Sequence, residues 1–330
     1  VAGATVFKAI CGSSSATAAT FASVAVPEMD RYHYDQRLST GVVATVGALG
    51  MLLPPSVTMI VFGVITQQSI GKLFLAAILP GLLIAAFFVL VIAVWCRINP
   101  ALGPKGERAT WKQRLAALPE CAYVVGVFVV VIGGLMKGFF TPTGAGSVGT
   151  VAVLLLALAQ RDLTLKRFGR ALDASLRAAC LTLTLIAGST VLGHFLARTR
   201  IPMIAAEWIT TLPVPPSVIM LLICITYLIG GSFVDDLAFM VLATPIFFPA
   251  VLRLGFDPLW FGMIIGVTLM IGVVVPPIAL NVFVVRGITK VPFKTIYHGV
   301  YPFLCSMVVV AILLFIFPEL ATWLPSRLMR

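Results

Sequence analysis

Long stretches without charge alternate with short basic connectors along this chain. No charged residue lies between Ala9 and Pro27, between Leu38 and Gly71, or between Pro258 and Val285. Apolar runs of this length predict helices in lipid. As one straight helix, the 38–71 run would be about 50 Å long against a hydrocarbon core of about 30 Å. Pro54 and Pro55 fall inside it. Proline removes a backbone donor and clashes with the preceding turn, so a broken helix is predicted there. The 258–285 run is interrupted in the same way at Pro276–Pro277, and 217–252 is apolar except at "GGSFVDD", residues 230–236. Further spans are predicted at 73–96, about 118–137, 139–160, 178–197 and 296–317.

Composition gives the same class. Of 330 residues, 60% are hydrophobic and 11% charged, where a soluble domain carries about 25% charged residues. The expected fold class is an all-α polytopic membrane protein. The net charge of +11 does not describe a nucleic-acid face, because the cations collect in connectors. These are Arg31 and Arg37; Arg97, Lys105, Arg108, Lys112 and Arg114; Arg161, Lys166, Arg167, Arg170 and Arg177; and Arg286, Lys290 and Lys294. That is the positive-inside pattern. The six cysteines are scattered and form no C-x-x-C pair, which reads as apolar filler. No Gly-rich phosphate loop is present, and His194 has no serine or acid at triad spacing, so neither ATP use nor hydrolase chemistry is expected.

A repeat emerges from the spacing of the breaks. Gly50 and Pro54 stand 15 and 19 residues after Asp35 of "YD"; Gly272 and Pro276 stand 15 and 19 residues after Asp257 of "FD". Each set follows a proline (Pro27; Pro245 and Pro249) and, before that, a cluster of small residues: "CGSSSAT" at 11–17 and "GGSFVDD" at 230–236. Each unit reads as apolar arm, small polar tip, apolar arm, connector and broken helix. If the connectors 97–114 and 161–177 lie inside, the first unit leaves and returns on the inner side and the second on the outer side. The two hairpins are then re-entrant and inverted, the pattern of a secondary transporter with its site at the midplane. Three regions follow. Residues 1–71 form a first unit, with a hairpin at about 1–27 and a broken helix at about 38–66. Residues 72–216 carry intervening helices, and 217–330 a second unit with a hairpin at about 217–250, a broken helix at about 258–285 and a last helix at 296–317. The chain opens at Val1 in mid-unit and is expected to be a piece whose start lies upstream.

Irregular backbone at membrane depth is tolerated only inside protein or around a wet cavity, where helix N-termini favour anions and freed carbonyls favour Na⁺. Gly12, Ser13, Ser14 and Ser15 fit the first tip, with Gly50, Leu53, Pro54, Pro55 and Ser56 at the first break. Gly231, Ser232 and Asp235 fit the second tip, with Gly272, Val275, Pro276, Pro277 and Asn281 at the second break. Close packing, a plain kink, or a helix cap at Asp235 are the alternatives at these positions. No Lys or Arg falls within the core stretches of either unit, so an anion there would rely on N–H groups, hydroxyls and a bound cation. "GFFTPTGAGSVG" at 138–149 reads as a helix start at Thr141–Pro142, with Gly144, Gly146 and Gly149 suited to a close helix contact.

The stretches "CGSSSATAATFASVAVPEMDRYHYDQRLSTG", "GMLLPPSVTMIVFGVITQQSIGKLFLAAILPG", "GFFTPTGAGSVG" and "GSFVDDLAFMVLATPIFFPAVLRLGFDPLWFGMIIGVTLMIGVVVPPIALNVFVVRGI" occur in this order. Together they resemble the large membrane subunit of TRAP (tripartite ATP-independent periplasmic) transporters, from about residue 3 to 325. The resemblance implies an elevator-type carrier of the bacterial inner membrane. It would work with a small four-helix membrane subunit and a periplasmic substrate-binding protein, taking up an organic acid, usually a carboxylate, on a Na⁺ gradient. It implies no organic cofactor, and Na⁺ as the coupling ion, held by carbonyls and hydroxyls at Gly12 to Ser15, Gly50 to Ser56, Gly231 to Asp235 and Gly272 to Pro277. The sequence departs from the family pattern at Val275, where Thr is common, at Ala279, near a common Gly, and at Gly144, where Glu is usual. A stand-alone Na⁺- or H⁺-coupled anion carrier of the same design, and a non-transporting membrane scaffold or receptor, are the other readings.

Overall fold

The computed structural model describes residues 13–104, 122, 125–127, 129–131, 133–135, 137–160, 163–211 and 213–329. Gly12, the first arm of the first hairpin, most of the 97–114 connector and much of the 118–137 span lie outside the described residues.

The first unit contributes α1 (Ser14–Arg31), α2 (Gln36–Ala48), a 3₁₀ turn (Leu49–Met51) and α3 (Val57–Thr66). The middle of the chain contributes α4 (Ile70–Ile98), α5 (Pro142–Ala159), α6 (Leu165–Thr199) and α7 (Ile201–Thr211). The second unit contributes α8 (Pro216–Phe233), α9 (Asp236–Arg253), α10 (Pro258–Gly272), α11 (Leu280–Thr289), α12 (Phe293–Ile316) and α13 (Glu319–Leu328). Among the described residues, five helices are long and apolar enough to cross a membrane. This is a multi-pass membrane protein.

Helix starts follow from short polar caps. Asp35, Ser56, Ser69, Thr141, Thr164, Asp235 and Asp257 each place a side-chain oxygen on a backbone N–H of the first turn, taking up donors with no intrahelical partner. Both broken helices stop at their proline pairs, and both pairs contain a cis peptide bond.

The broken helices form the core. Every residue of α10 from Trp260 to Gly272 is buried, as is α2 from Leu38 to Ala48 apart from Val42. A helix apolar on all sides belongs inside a protein. α2 packs on α1 and α12, and α10 packs on α8. The half-helix after each break crosses to the other unit: α11 packs on α1, and α3 packs on α9. α2 and α12 cross at Gly41 and Gly299, where a Cβ on Gly299 would collide with the Arg37 carbonyl.

The structure departs from the sequence expectations in four places. The basic connector 161–177 is mostly helix: Thr164 caps α6, and an i,i+4 pair between Arg177 and Asp173 at 2.9 Å supports its exposed first turns. The proline-rich link after residue 197 holds α7, tied to α9 by Arg253 and Glu207 at 3.4 Å. A further amphipathic helix, α13, packs on α4. The glycines of α5 are not a uniform contact stripe: among the described residues a Cβ on Gly146 would meet nothing within 4 Å, while one on Gly149 would meet Val131 at 3.4 Å.

Candidate functional site

The spacing noted between the two Asp-to-Pro segments is a repeat of local geometry 222 residues apart. α1 ends with His33 at φ 60°, its N–H on the Asp30 carbonyl (2.9 Å) and the Tyr34 N–H on the Met29 carbonyl (3.0 Å). α9 ends with Gly255 at φ 81°, its N–H on the Leu252 carbonyl (3.1 Å) and the Phe256 N–H on the Val251 carbonyl (3.2 Å). Both are left-handed helix stops with paired reverse hydrogen bonds. Asp35 then caps α2 through the Arg37 N–H (2.7 Å), and Asp257 caps α10 through the N–H groups of Leu259 and Trp260 (2.8 and 3.0 Å). The aspartates of "YD" and "FD" are therefore the starting caps of the two broken helices. The same register pairs Ser13 with Asp235, and these cap the two outgoing hairpin arms: Ser13 accepts from the Ala16 N–H, and Asp235 from the N–H groups of Leu237 and Ala238 at 3.2 Å.

The breaks free carbonyl oxygens, as proline requires, and the protein uses some of them itself. At the first break the Ser56 hydroxyl donates to the Met51 carbonyl at 2.6 Å and accepts the Met59 N–H at 3.3 Å. At the second, Ala279 turns the chain at φ 51°, and the Asn281 N–H donates to the Val273 carbonyl at 3.2 Å. Among the described residues, no group donates a hydrogen bond to the carbonyls of Leu52, Leu53, Val274 or Val275. Unpaired carbonyls inside a protein call for a partner. A set of neutral oxygens is the donor set of a hard, weakly charged cation. Such a set fits Na⁺, and these residues could hold it. The two breaks differ in access: Leu52 and Leu53 are buried, whereas Pro276, Pro277 and Ile278 are exposed, Ile278 at 40%.

The tips meet the breaks through two contacts. In the second unit, a Cβ built on Gly272 would lie 2.9 Å from the carbonyl carbon of Gly231, so tip and break touch backbone to backbone. In the first, the Ser14 hydroxyl donates to Asn281 Oδ1 at 3.1 Å, and Asn281 Nδ2 donates to the Ala44 carbonyl at 3.0 Å. Asn281 is fully buried and Ser14 nearly so.

The structure thus brings together Ser14, Asn281 and the α2 backbone, and separately Gly231 and Gly272. Ser13 and Asp235 serve as caps. Ser15 is half-buried at the tip, and Gly50 lies buried in the 3₁₀ turn. The Ser232 hydroxyl turns back to the Leu228 carbonyl at 2.7 Å, within its own helix. Leu53 lies against Gly81 of α4, where a Cβ would meet the Leu53 side chain at 2.5 Å. Val275 and Pro55 are half-buried and Pro54 buried. Sequence reading did not find Ala44 or the pairing of Ser14 with Asn281. The two are 267 positions apart, and their contact depends on α11 crossing to the first unit.

Residues 1–320 match the family described as tripartite ATP-independent periplasmic transporter, DctM component. The chain is 34% identical over 323 residues to the C4-dicarboxylate TRAP transporter large permease protein DctM of Pseudomonas aeruginosa, covering 98% of this chain and 75% of that one. It is 33% identical over 337 residues to the protein of the same description from Rhodobacter capsulatus, covering 98% and 76%. It is 31% identical over 322 residues to the sialic acid TRAP transporter large permease protein SiaM of Vibrio cholerae, covering 97% and 75%.

Proposed function

That this chain belongs to the DctM component family of tripartite ATP-independent periplasmic transporters is the premise from which we propose a Na⁺-coupled importer of organic acids in the bacterial inner membrane. The chain is its transport subunit, a carrier and not an enzyme. A small four-helix membrane subunit and a periplasmic substrate-binding protein complete the system, and the binding protein delivers the substrate. The two units are inverted repeats whose re-entrant hairpins and broken helices enclose a midplane site, carried across by an elevator movement.

The observation that carries the proposal is the shared register of the two units. Caps, helix stops and proline pairs recur 222 residues apart, at 13 and 235, 35 and 257, and 54 and 276. Among the described residues, each break also offers carbonyl oxygens without a hydrogen-bond donor. With no Lys or Arg in these stretches, an anion bound here needs N–H groups and a neighbouring cation to offset its charge. Na⁺ coupling supplies that cation. The relatives are named for C4-dicarboxylates and for sialic acid at similar identity, which supports organic acids as the substrate class without choosing among them.

The test is uptake into liposomes containing the full-length chain and the small subunit, with the binding protein added outside. A panel of carboxylates is screened with a Na⁺ gradient and with a K⁺ gradient of equal size. Uptake is expected only with the binding protein and only on Na⁺. Full-rate uptake without the binding protein would instead make this a stand-alone carrier, and uptake indifferent to Na⁺ would remove the coupling ion.

A further inference from the structure

Asn281 makes hydrogen bonds to three separate parts of the site. Its backbone N–H holds the Val273 carbonyl inside the second break, its amide nitrogen holds the Ala44 carbonyl of α2, and its amide oxygen holds the Ser14 hydroxyl at the first hairpin tip. The orientation of the amide is fixed chemically. A carbonyl can only accept, so the NH₂ group must face Ala44; the oxygen then faces Ser14, and the Ser14 hydroxyl must donate. Rotating the amide would set its oxygen against the Ala44 carbonyl and lose that bond.

The fold itself does not need this arrangement. In the register that relates the two units, Asn281 corresponds to Met59 and Ala44 to Gly266 (59 and 281, 44 and 266). Met59 sits against Gly266, where a Cβ would lie 2.8 Å from the methionine methyl group. The same helix crossing is thus sealed by an apolar side chain in one half and by an oriented amide in the other. A buried polar network at one of two equivalent crossings confers something other than packing.

We infer that Asn281 is the positioning residue that couples cation occupancy of the second break to the geometry of the first hairpin tip. The inference rests on the Na⁺ reading above. A cation drawn to the Val274 and Val275 carbonyls, which have no donor among the described residues, orders the 273–279 loop. That loop is tied by the Val273 carbonyl to the Asn281 backbone, and the Asn281 side chain transmits its position to Ser14. The first tip is then set in place when the ion is bound. Coupling between two sites requires an element that both of them bias, and here it is one side chain with its own backbone N–H.

The experiment is hydrogen exchange on the purified full-length chain in detergent, with NaCl or KCl as the only variable. In the wild type, Na⁺ is expected to slow exchange both at residues 273–282 and at the first tip, residues 15–20, by about fivefold or more at each. In Asn281→Met, which installs the residue used at the equivalent crossing, the Na⁺ effect is expected to persist at 273–282 and to fall below about twofold at 15–20. Ser14→Ala cuts only the last link and is expected to give the same pattern. It decides the matter if Asn281→Met does not fold. Retained Na⁺ protection of the tip in a folded Asn281→Met or in Ser14→Ala overturns the coupling role while leaving the Na⁺ site standing. No Na⁺ effect at 273–282 in the wild type removes the cation reading itself, and the coupling with it.

Discussion

Gly231 and Gly272 meet backbone to backbone, so the tip of the second hairpin rests on the second break with no side chain between them. The two glycines face different neighbours. A Cβ on Gly272 would press on the Gly231 backbone at 2.9 Å and approach the Leu228 carbonyl at 3.2 Å. A Cβ on Gly231 would meet the far end of the Leu269 side chain at 2.9 Å, which can swing aside.

Gly272→Ala is therefore expected to push the tip off the break, while Gly231→Ala is tolerated. Overpacking against backbone costs about 1–3 kcal/mol. Here that cost falls on the contact between the second tip and the second break, where the proposed site lies, so uptake is expected to drop at least tenfold in Gly272→Ala with the protein still folded. Uptake and thermal unfolding of both variants, side by side, check this. Equal loss in the two would mean the contact is not what matters.

The crossing of α2 and α12 makes a stability prediction instead. A Cβ on Gly299 would collide with the Arg37 carbonyl, and one on Gly41 with the Gly299 backbone. Gly299→Ala or Gly41→Ala is expected to lower stability by about 2 kcal/mol, seen as a lower unfolding midpoint in detergent. Gly287→Ala, where a Cβ would meet nothing within 4 Å, is the matched control and is expected to leave the midpoint unchanged or raise it slightly.

Ser56 makes a similar contrast among caps. It is fully buried and makes two bonds, donating to Met51 and accepting from Met59. Ser56→Ala strands a buried carbonyl and a helix N–H, and is expected to cost about 2–3 kcal/mol. Ser69 caps α4 through one solvent-exposed 3.4 Å bond, and Ser69→Ala is expected to cost about 1 kcal/mol or less. Unfolding midpoints of the two variants measure the difference.

Much of this was legible in the sequence because its signals are local. Proline pairs break helices wherever they occur, and charge-free runs bounded by Asp, Ser or Thr give several of the described helices to within a few residues. α10, for example, starts at Pro258 as the charge-free run predicts. The register of Asp35 and Asp257 was also visible, although their role as caps was not, since an N-cap is recognised by the bond it makes. What stayed hidden depends on which helices cross. The Ser14–Asn281 bond, the Ala44 carbonyl it leads to, and the Gly231–Gly272 contact join segments that no periodicity connects. The helix content of 165–177 was hidden for another reason. Its basic residues signal the inner side of a membrane, and that signal does not separate a loop from an exposed helical turn.

Ala279 stands where a left-handed turn follows the second proline pair. Its φ of 51° and ψ of 70° place a Cβ against the following carbonyl, a conformation that glycine adopts without that penalty. Ala279 is buried, and Val282 and Phe283 hydrogen-bond back to its carbonyl at 2.8 and 3.1 Å, so the turn is held by the start of α11 and not by the alanine's own preference. Removing the methyl group relieves about 1 kcal/mol of backbone conflict. Against this stand the lost burial of one methyl group, about 0.8 kcal/mol, and the greater freedom of glycine in the unfolded chain, about 0.4–1 kcal/mol. The sum predicts a small destabilisation of about 0.2–0.8 kcal/mol, seen as a slightly lower unfolding midpoint. It also predicts a clear effect on motion, because glycine gives the turn more backbone freedom. Hydrogen exchange of residues 280–283 is expected to speed up in Ala279→Gly while the midpoint moves by no more than that of an equivalent exposed substitution. A midpoint drop as large as that of Gly299→Ala would show that the Ala279 methyl group is itself a packing element of the second break.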